Sequence, residues 1–228
     1  MSIAFFSTAN REGVTSLASL LSAKGWILQA EGSTFDALQN AGIAIAKVAI
    51  TQAGKADLLV LNLPQTPVTK LEHLETARPS LLRKTAAEWK RKAILTSPSQ
   101  YSEAEALFAE HLSVSDLPVE TLQQWAIAAL RHLVEYDTAA DRDLSESILQ
   151  EKVLHLNYTQ GSALRYGENS HQKALFFRDP KWSESSLANA KQLHGKELSY
   201  NNIVDADAAL EMVREFSGQP TVVIVKHL

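Results

Sequence analysis

The chain has 228 residues, 45% hydrophobic and 21% charged, with a formal net charge of -4 and no cysteine. This composition excludes intrinsic disorder, disulfides and thiolate chemistry, and argues against broad attraction to nucleic acid or an anionic membrane. The length suits one large domain or two small ones.

No apolar run reaches the roughly 20 residues of a membrane helix. The N-terminus has no basic segment of the kind that opens a signal peptide, so a cytoplasmic location is expected.

Residues 2–6 read as a short buried strand, followed by the polar loop Ser7-Thr8-Ala9-Asn10-Arg11-Glu12-Gly13. Val14, Leu17, Leu20 and Leu21 then recur at helical spacing, and Gly25 closes that helix. Residues 26–29 form a second apolar stretch. A second polar loop, Glu31-Gly32-Ser33-Thr34, leads into a helix marked by Phe35, Leu38 and Ala41. Residues 43–48 suggest a third strand, and residues 57–63 are the clearest strand of all, closed by Pro64. Another strand is expected over 93–96 and a helix over 104–111. The alternation predicts an α/β fold with a parallel sheet covered by helices.

Three of these strands run into helix starts rich in Ser, Thr and Asn, after Phe6, Gln29 and Thr96. A parallel sheet places such starts along one edge, where helix N-termini favour anions. Ser7, Asn10, Ser33 and Thr34 are therefore candidate phosphate-binding residues. The same residue types also serve as plain helix caps.

Leu122, Trp125, Ala126, Ala129, Leu130 and Leu133 form an apolar helical stripe that reads as packing. The polar run 137–146 either continues that helix or begins a linker. Beyond it the character changes, and a boundary between two units, 1–150 and 151–228, is expected. Residues 153–158 alternate like a strand, 173–177 and 222–225 suggest two more, and 206–216 suggest a helix. His73, His111 and His132 are too scattered to form a metal site, and no metal is expected.

Three segments of the last third carry a specific resemblance: Leu164-Arg165-Tyr166-Gly167-Glu168-Asn169-Ser170-His171-Gln172, the run from Gln192-Leu193-His194-Gly195 through Asn201-Asn202-Ile203-Val204-Asp205 to Ala209-Leu210, and Val222-Val223-Ile224-Val225-Lys226-His227. In this order and spacing they resemble the bifunctional purine-biosynthesis family, AICAR transformylase / IMP cyclohydrolase, where AICAR is aminoimidazole carboxamide ribonucleotide. The resemblance implies a methylglyoxal-synthase-like parallel-sheet domain, which carries the cyclohydrolase, followed by the start of a cytidine-deaminase-like transformylase domain. It also implies a homodimer, AICAR and related purine nucleotides as ligands, and 10-formyltetrahydrofolate as formyl donor.

Residues 1–150 follow that family loosely, and the departures bear on chemistry. The family's segment Arg-Val-Lys-Thr-Leu-His-Pro-Lys has no counterpart; Thr51-Gln52-Ala53-Gly54-Lys55 fills the interval. Its Ser-Thr-Gly-Gly-Thr loop is Ala30-Glu31-Gly32-Ser33-Thr34, and its Asn-Leu-Tyr-Pro-Phe is Asn62-Leu63-Pro64-Gln65-Thr66. Its Asp-Ile-Gly-Gly-Pro is Glu75-Thr76-Ala77-Arg78-Pro79, and its Ala-Ala-Lys-Asn-His is Ala86-Ala87-Glu88-Trp89-Lys90. Ring closure needs acid–base groups and a place for charge on the amide oxygen. Their joint loss predicts that the cyclohydrolase is inactive, with Lys90 as the one candidate replacement.

Formyl transfer to the weakly nucleophilic AICAR amine needs a proton acceptor, oxyanion stabilisation and a proton for the leaving folate nitrogen. By the resemblance, Lys226 and His227 match the catalytic Lys-His pair, and His171 matches a supporting histidine. Arg165, Tyr166, Asn202 and Asp205 match AICAR-binding residues. The chain stops at Leu228, where the resembled family continues through its folate pocket. The portion present is expected not to transfer formyl groups alone. Two non-catalytic alternatives remain for the first unit, a purine-nucleotide-binding module and a dimerisation scaffold.

Overall fold

The Leu58–Leu61 segment is buried along its whole length, the pattern of a strand covered on both faces in a parallel sheet. In chain order the strands are β1 (Ile3–Ser7), β2 (Ile27–Ala30), β3 (Ala46–Lys47), β4 (Leu58–Leu61) and β5 (Ala93–Leu95). All four pairings are parallel, in the spatial order β3-β2-β1-β4-β5. Ala4 registers with Leu58 and Ser7 with Leu61. The structure is a computed structural model that describes residues 1–159, 161–179, 184–216 and 218–226.

Two helical layers cover the sheet. Successive side chains of a strand point to opposite faces. Accordingly, Ala4 and Phe6 join one core cluster and Phe5 the other. The first cluster takes Leu17 and Leu21 of α1 (Val14–Ala23), Phe108 of α4 (Tyr101–Glu110) and Trp125 of α5 (Val119–Leu144). Trp26 meets Phe108 edge-on at 5.2 Å. The second cluster takes Leu82 and Ala86 of α3 (Ala77–Ala87) with Ala129 and Leu133 of α5. Each fully buried leucine here contributes roughly 1.5–3 kcal/mol. The remaining helix, α2 (Gly32–Asn40), buries Thr34 and places Leu38 in the first cluster.

All five expected strands of the first half are present, although β3 is only two residues long. The stripe-bearing helix continues through the polar run to Leu144 and ends in a π turn, Ser145–Leu149. α3 carries no clear apolar period and was not expected. Its Pro79 lies in the first turn, where the missing N–H costs nothing.

The chain divides into two units, Met1–His155 and Leu156–Leu228. In the second unit, β6 (Ser162–Ala163) pairs antiparallel with β7 (Leu175–Phe176), inside the stretch expected to be a strand. α6 (Tyr200–Arg214) begins six residues before the expected start, because Ser199 and Asn202 form a reciprocal capping box there. Residues 153–158 and 222–225 do not form strands. Their alternation is real, but no neighbouring strand pairs with them, and Leu154, Leu156, Val222 and Ile224 are exposed.

Candidate functional site

In the first unit, β2 and β3 lie on one side of β1, and β4 and β5 on the other. The winding reverses between β1 and β4, and open parallel sheets bind ligands beyond the carboxyl ends of the strands at that reversal. Asn62, directly after β4, ties this point together. Its Oδ1 accepts the amides of Ala9 and Asn10 at 2.7 and 2.8 Å, and its Nδ2 donates to the Asn10 carbonyl at 2.9 Å. A cleft of about 440 Å³ opens beside it, lined among others by Asn10, Gln65, Thr96, Ser97, His132 and Glu135.

His132, on α5, accepts the Leu63 amide through Nε2 at 2.9 Å, which assigns the proton of its neutral form to Nδ1. Burial pushes its pKa below the usual histidine range, against a smaller opposing effect of Glu135. Tyr101 is also buried, and its phenol is pushed up to about 12 by burial. Its hydroxyl faces Asn62 without a hydrogen bond of normal geometry. No lysine or arginine is among the described residues lining the cleft. The cleft therefore offers amides, hydroxyls, one carboxylate and a neutral imidazole, a set suited to a neutral polar group rather than to phosphate.

The four candidate phosphate residues all lie at this sheet edge; Ser7, Asn10 and Thr34 are engaged through their side chains, the exposed Ser33 through its carbonyl alone. The Ser7 hydroxyl donates to Glu31 Oε1 at 2.7 Å and accepts Arg78 Nε at 2.8 Å. Thr34 Oγ1 accepts the Thr8 amide at 2.9 Å and donates to the Thr8 carbonyl at 3.1 Å. The Ser33 carbonyl takes Arg11 Nη1, and Asn10 Oδ1 takes the Glu12 amide. Lys90 sits on the turn between α3 and β5, 5.6 Å over the Trp89 ring. That turn enters β5, so Lys90 lies at the opposite edge of the sheet from Ser7, Asn62 and Thr96. Glu88, on the same turn, pairs with Lys92 at 2.7 Å, and this hydrogen bond lowers its pKa.

In the second unit, two of the three motif segments are stitched together. The Arg165 amide donates to the Leu198 carbonyl at 2.9 Å, and the Tyr200 amide to the Tyr166 carbonyl at 3.0 Å. Asn201 Nδ2 donates to the Glu168 carbonyl at 3.1 Å. Arg165 Nη2 reaches Tyr166 Oη at 3.0 Å, with the guanidinium 4.8 Å over the ring. The Ser199 hydroxyl and the Arg165 guanidinium hold the half-buried Tyr166 phenol below its usual range. Asn202 stands on the first turn of α6, where its Oδ1 accepts the Ser199 amide at 3.1 Å. Asp205 is one turn further along.

His171 is exposed on the turn closed by the Gly167 amide donating to the Gln172 carbonyl at 2.9 Å. Lys226 is also exposed. Among the described residues, no hydrogen bond or ion pair joins either one to Arg165, Tyr166 or Asn202. His227 lies outside the described residues. Among the described residues, no group of three or more His, Asp or Glu is placed to hold a metal ion, and no helix is long and apolar enough to cross a membrane.

Residues 85–228 match the family model described as the AICARFT/IMPCHase bienzyme. The chain belongs to that family. It is 41% identical over 160 residues to the bifunctional purine biosynthesis protein PurH of Bacillus cytotoxicus, and 39% identical over 160 residues to that of Halalkalibacterium halodurans. Each match covers 69% of this chain and 30% of the relative, so the chain spans under a third of their length. Among solved structures, a crystal structure of ForH superposes with a TM-score of 0.55 at 19% identity, covering 60% of this chain and 96% of that one. At that identity the likeness is one of fold.

Sequence reasoning missed Arg78 and His132 as site residues. Arg78 lies on the helix that no periodicity announced. His132 adjoins Leu133 on the packing stripe, so nothing in its spacing distinguished it. Asn62 was not singled out in the sequence, and its bonds to the β1 loop became visible only in the fold.

Proposed function

We propose that this chain is part of a purine-biosynthesis enzyme that transfers a formyl group from 10-formyltetrahydrofolate to AICAR, as a homodimer. Its first unit is a methylglyoxal-synthase-like domain without cyclohydrolase activity, and its second is the beginning of a cytidine-deaminase-like transformylase domain. The observation that carries this reading is the joining of the segments 164–172 and 192–210 through Arg165–Leu198 and Tyr166–Tyr200. It gathers Arg165, Tyr166 and Asn202, three of the four residues proposed to bind AICAR, around one capped helix start.

In this reading Arg165 offers paired donors to the AICAR phosphate, and Tyr166 a ring face to its base. Asn202 and Asp205 contact polar groups of the base. The AICAR amine forms a bond to the formyl carbon as the bond from that carbon to the folate nitrogen breaks. His227 takes the amine proton and returns a proton to the folate nitrogen, Lys226 stabilises the oxyanion, and His171 supports the pair. No residue of this chain is assigned to the folate, and the chain by itself is expected not to transfer formyl groups.

For the first unit, three features support the absence of ring closure. The interval after β3 is a short 3-10 turn, Ile50–Lys55. Lys90 lies at the far sheet edge. The cleft beside Asn62 is lined by no cation among the described residues. The test is IMP formation from formyl-AICAR, followed by absorbance against a no-enzyme control. Folded protein is expected to give no turnover; clear turnover would overturn the reading.

The cleft beside Asn62 favours a second reading, in which the first unit holds the uncharged base or ribose of a purine nucleotide, its phosphate outside the cleft, without transforming it. A ligand that binds only the native state at 100 times its Kd adds about 2.7 kcal/mol to stability. A melting-temperature rise with IMP or AICAR therefore separates a binding unit from a purely dimerising one.

A further inference from the structure

The donors that converge at the carboxyl edge of the first unit already hold an anion, and it belongs to the protein. Glu31 follows β2 and stands at the N-cap of α2, yet its carboxylate does not cap that helix. Instead, Oε1 accepts the Ser7 hydroxyl at 2.7 Å and Oε2 accepts the Ile50 amide at 3.0 Å. Arg78 Nε approaches Oε1 at 3.8 Å while bonding Ser7 Oγ at 2.8 Å. The guanidinium's Nη1 is held at 2.9 Å by Glu75. The donors thus come from the end of β1, from the residue that opens the turn after β3, and from the first turn of α3. Ser7 is fully buried, and the Arg78 and Glu31 side chains are only 26% and 20% exposed.

We propose that this is an oxyanion site filled by Glu31, so that the protein's own carboxylate keeps phosphate out, and that removing the carboxylate opens the site to a tetrahedral anion. A hydroxyl and an amide that donate hydrogen bonds, with a guanidinium close by, are the groups by which proteins hold carboxylate and phosphate alike. An anion entering beside Glu31 would meet like charge at close range, which disfavours binding. Glu31 and Arg78 also stand at two of the positions where the sequence departs from the loops it resembles, and here those two departures meet.

The proposal concerns anion occupancy, and its outcome is independent of whether the chain closes the purine ring. The experiment measures thermal melting of the full chain with inorganic phosphate against chloride at matched ionic strength, with phosphate titration calorimetry as the direct reading. The wild-type protein is expected to show no phosphate-specific shift. Glu31→Ala is expected to gain about 3 °C at phosphate near ten times its Kd, and Glu31→Ala/Arg78→Gln to lose that gain. Glu31→Thr supplies a favourable N-cap residue and serves as the second opened variant if alanine impairs folding. The proposal is overturned if wild-type protein binds phosphate as the variants do, if a folded opened variant binds none, or if the gain survives loss of Arg78.

Discussion

Replacing Asn62 with alanine tests whether one amide side chain ties β4 to the loop after β1. Asn62 is 3% exposed and makes three hydrogen bonds, two accepted and one donated, all to the backbone of Ala9 and Asn10. At a net value of about 1 kcal/mol each they sum to about 3 kcal/mol. Ala9 and Asn10 are exposed, so part of their backbone polarity regains water in the variant, and the expected loss falls to about 2 kcal/mol. Three of the four tryptophans, Trp26, Trp89 and Trp125, lie in the first unit, which makes tryptophan fluorescence in urea chiefly a report on it. With a slope near 2 kcal/mol per molar, the midpoint is expected to move down by about 1 M at unchanged slope. A loss under about 0.5 kcal/mol would show that the loop holds its course without Asn62 and would refute the argument.

Two further outcomes follow from the same edge of the sheet. The native pKa of His132 lies below its ordinary value of 6.5, so as pH falls the unfolded chain takes up the proton first. The stability that neutral His132 contributes is present above about pH 6.5 and is lost as pH drops toward the native pKa. The melting-temperature gap between wild type and His132→Gln should therefore narrow from pH 7.5 to 5.5; a constant gap would contradict the assignment. Gly13→Ala is expected to lose about 1–2 kcal/mol in urea denaturation, because φ is +72° and the new Cβ would lie 3.2 Å from Tyr101 Cδ2. An unchanged midpoint would show that the α1 entry relaxes freely.

The sheet was legible because its strands are short apolar runs bounded by glycine, proline and polar loops. Residues 58–61 needed no alternation, since both faces are covered. α3 was not legible: of its buried residues Pro79, Leu82, Thr85 and Ala86 only Leu82 is large and apolar, and the face is buried through packing against α5 and β5. Residues 222–225 show the opposite failure. Period-two alternation describes which way side chains point, whereas a strand also requires a neighbour with free backbone groups. For the site, residue types at the loops were readable, but their partners were not. Ser7 looked like a phosphate donor from its neighbours in sequence. The carboxylate that accepts its proton is 24 residues away and the guanidinium that donates to it 71 away.

The length of the sheet's outermost strands has a consequence for handling the first unit. β3 offers two residues, both exposed and one of them Lys47, and β5 offers three that are buried beneath α5. Edges this short, with a charge on the open one, give a second molecule little backbone to pair with. Residues 1–155, prepared at high concentration, should resist strand-to-strand aggregation, and any self-association they show would have to run through helical surfaces.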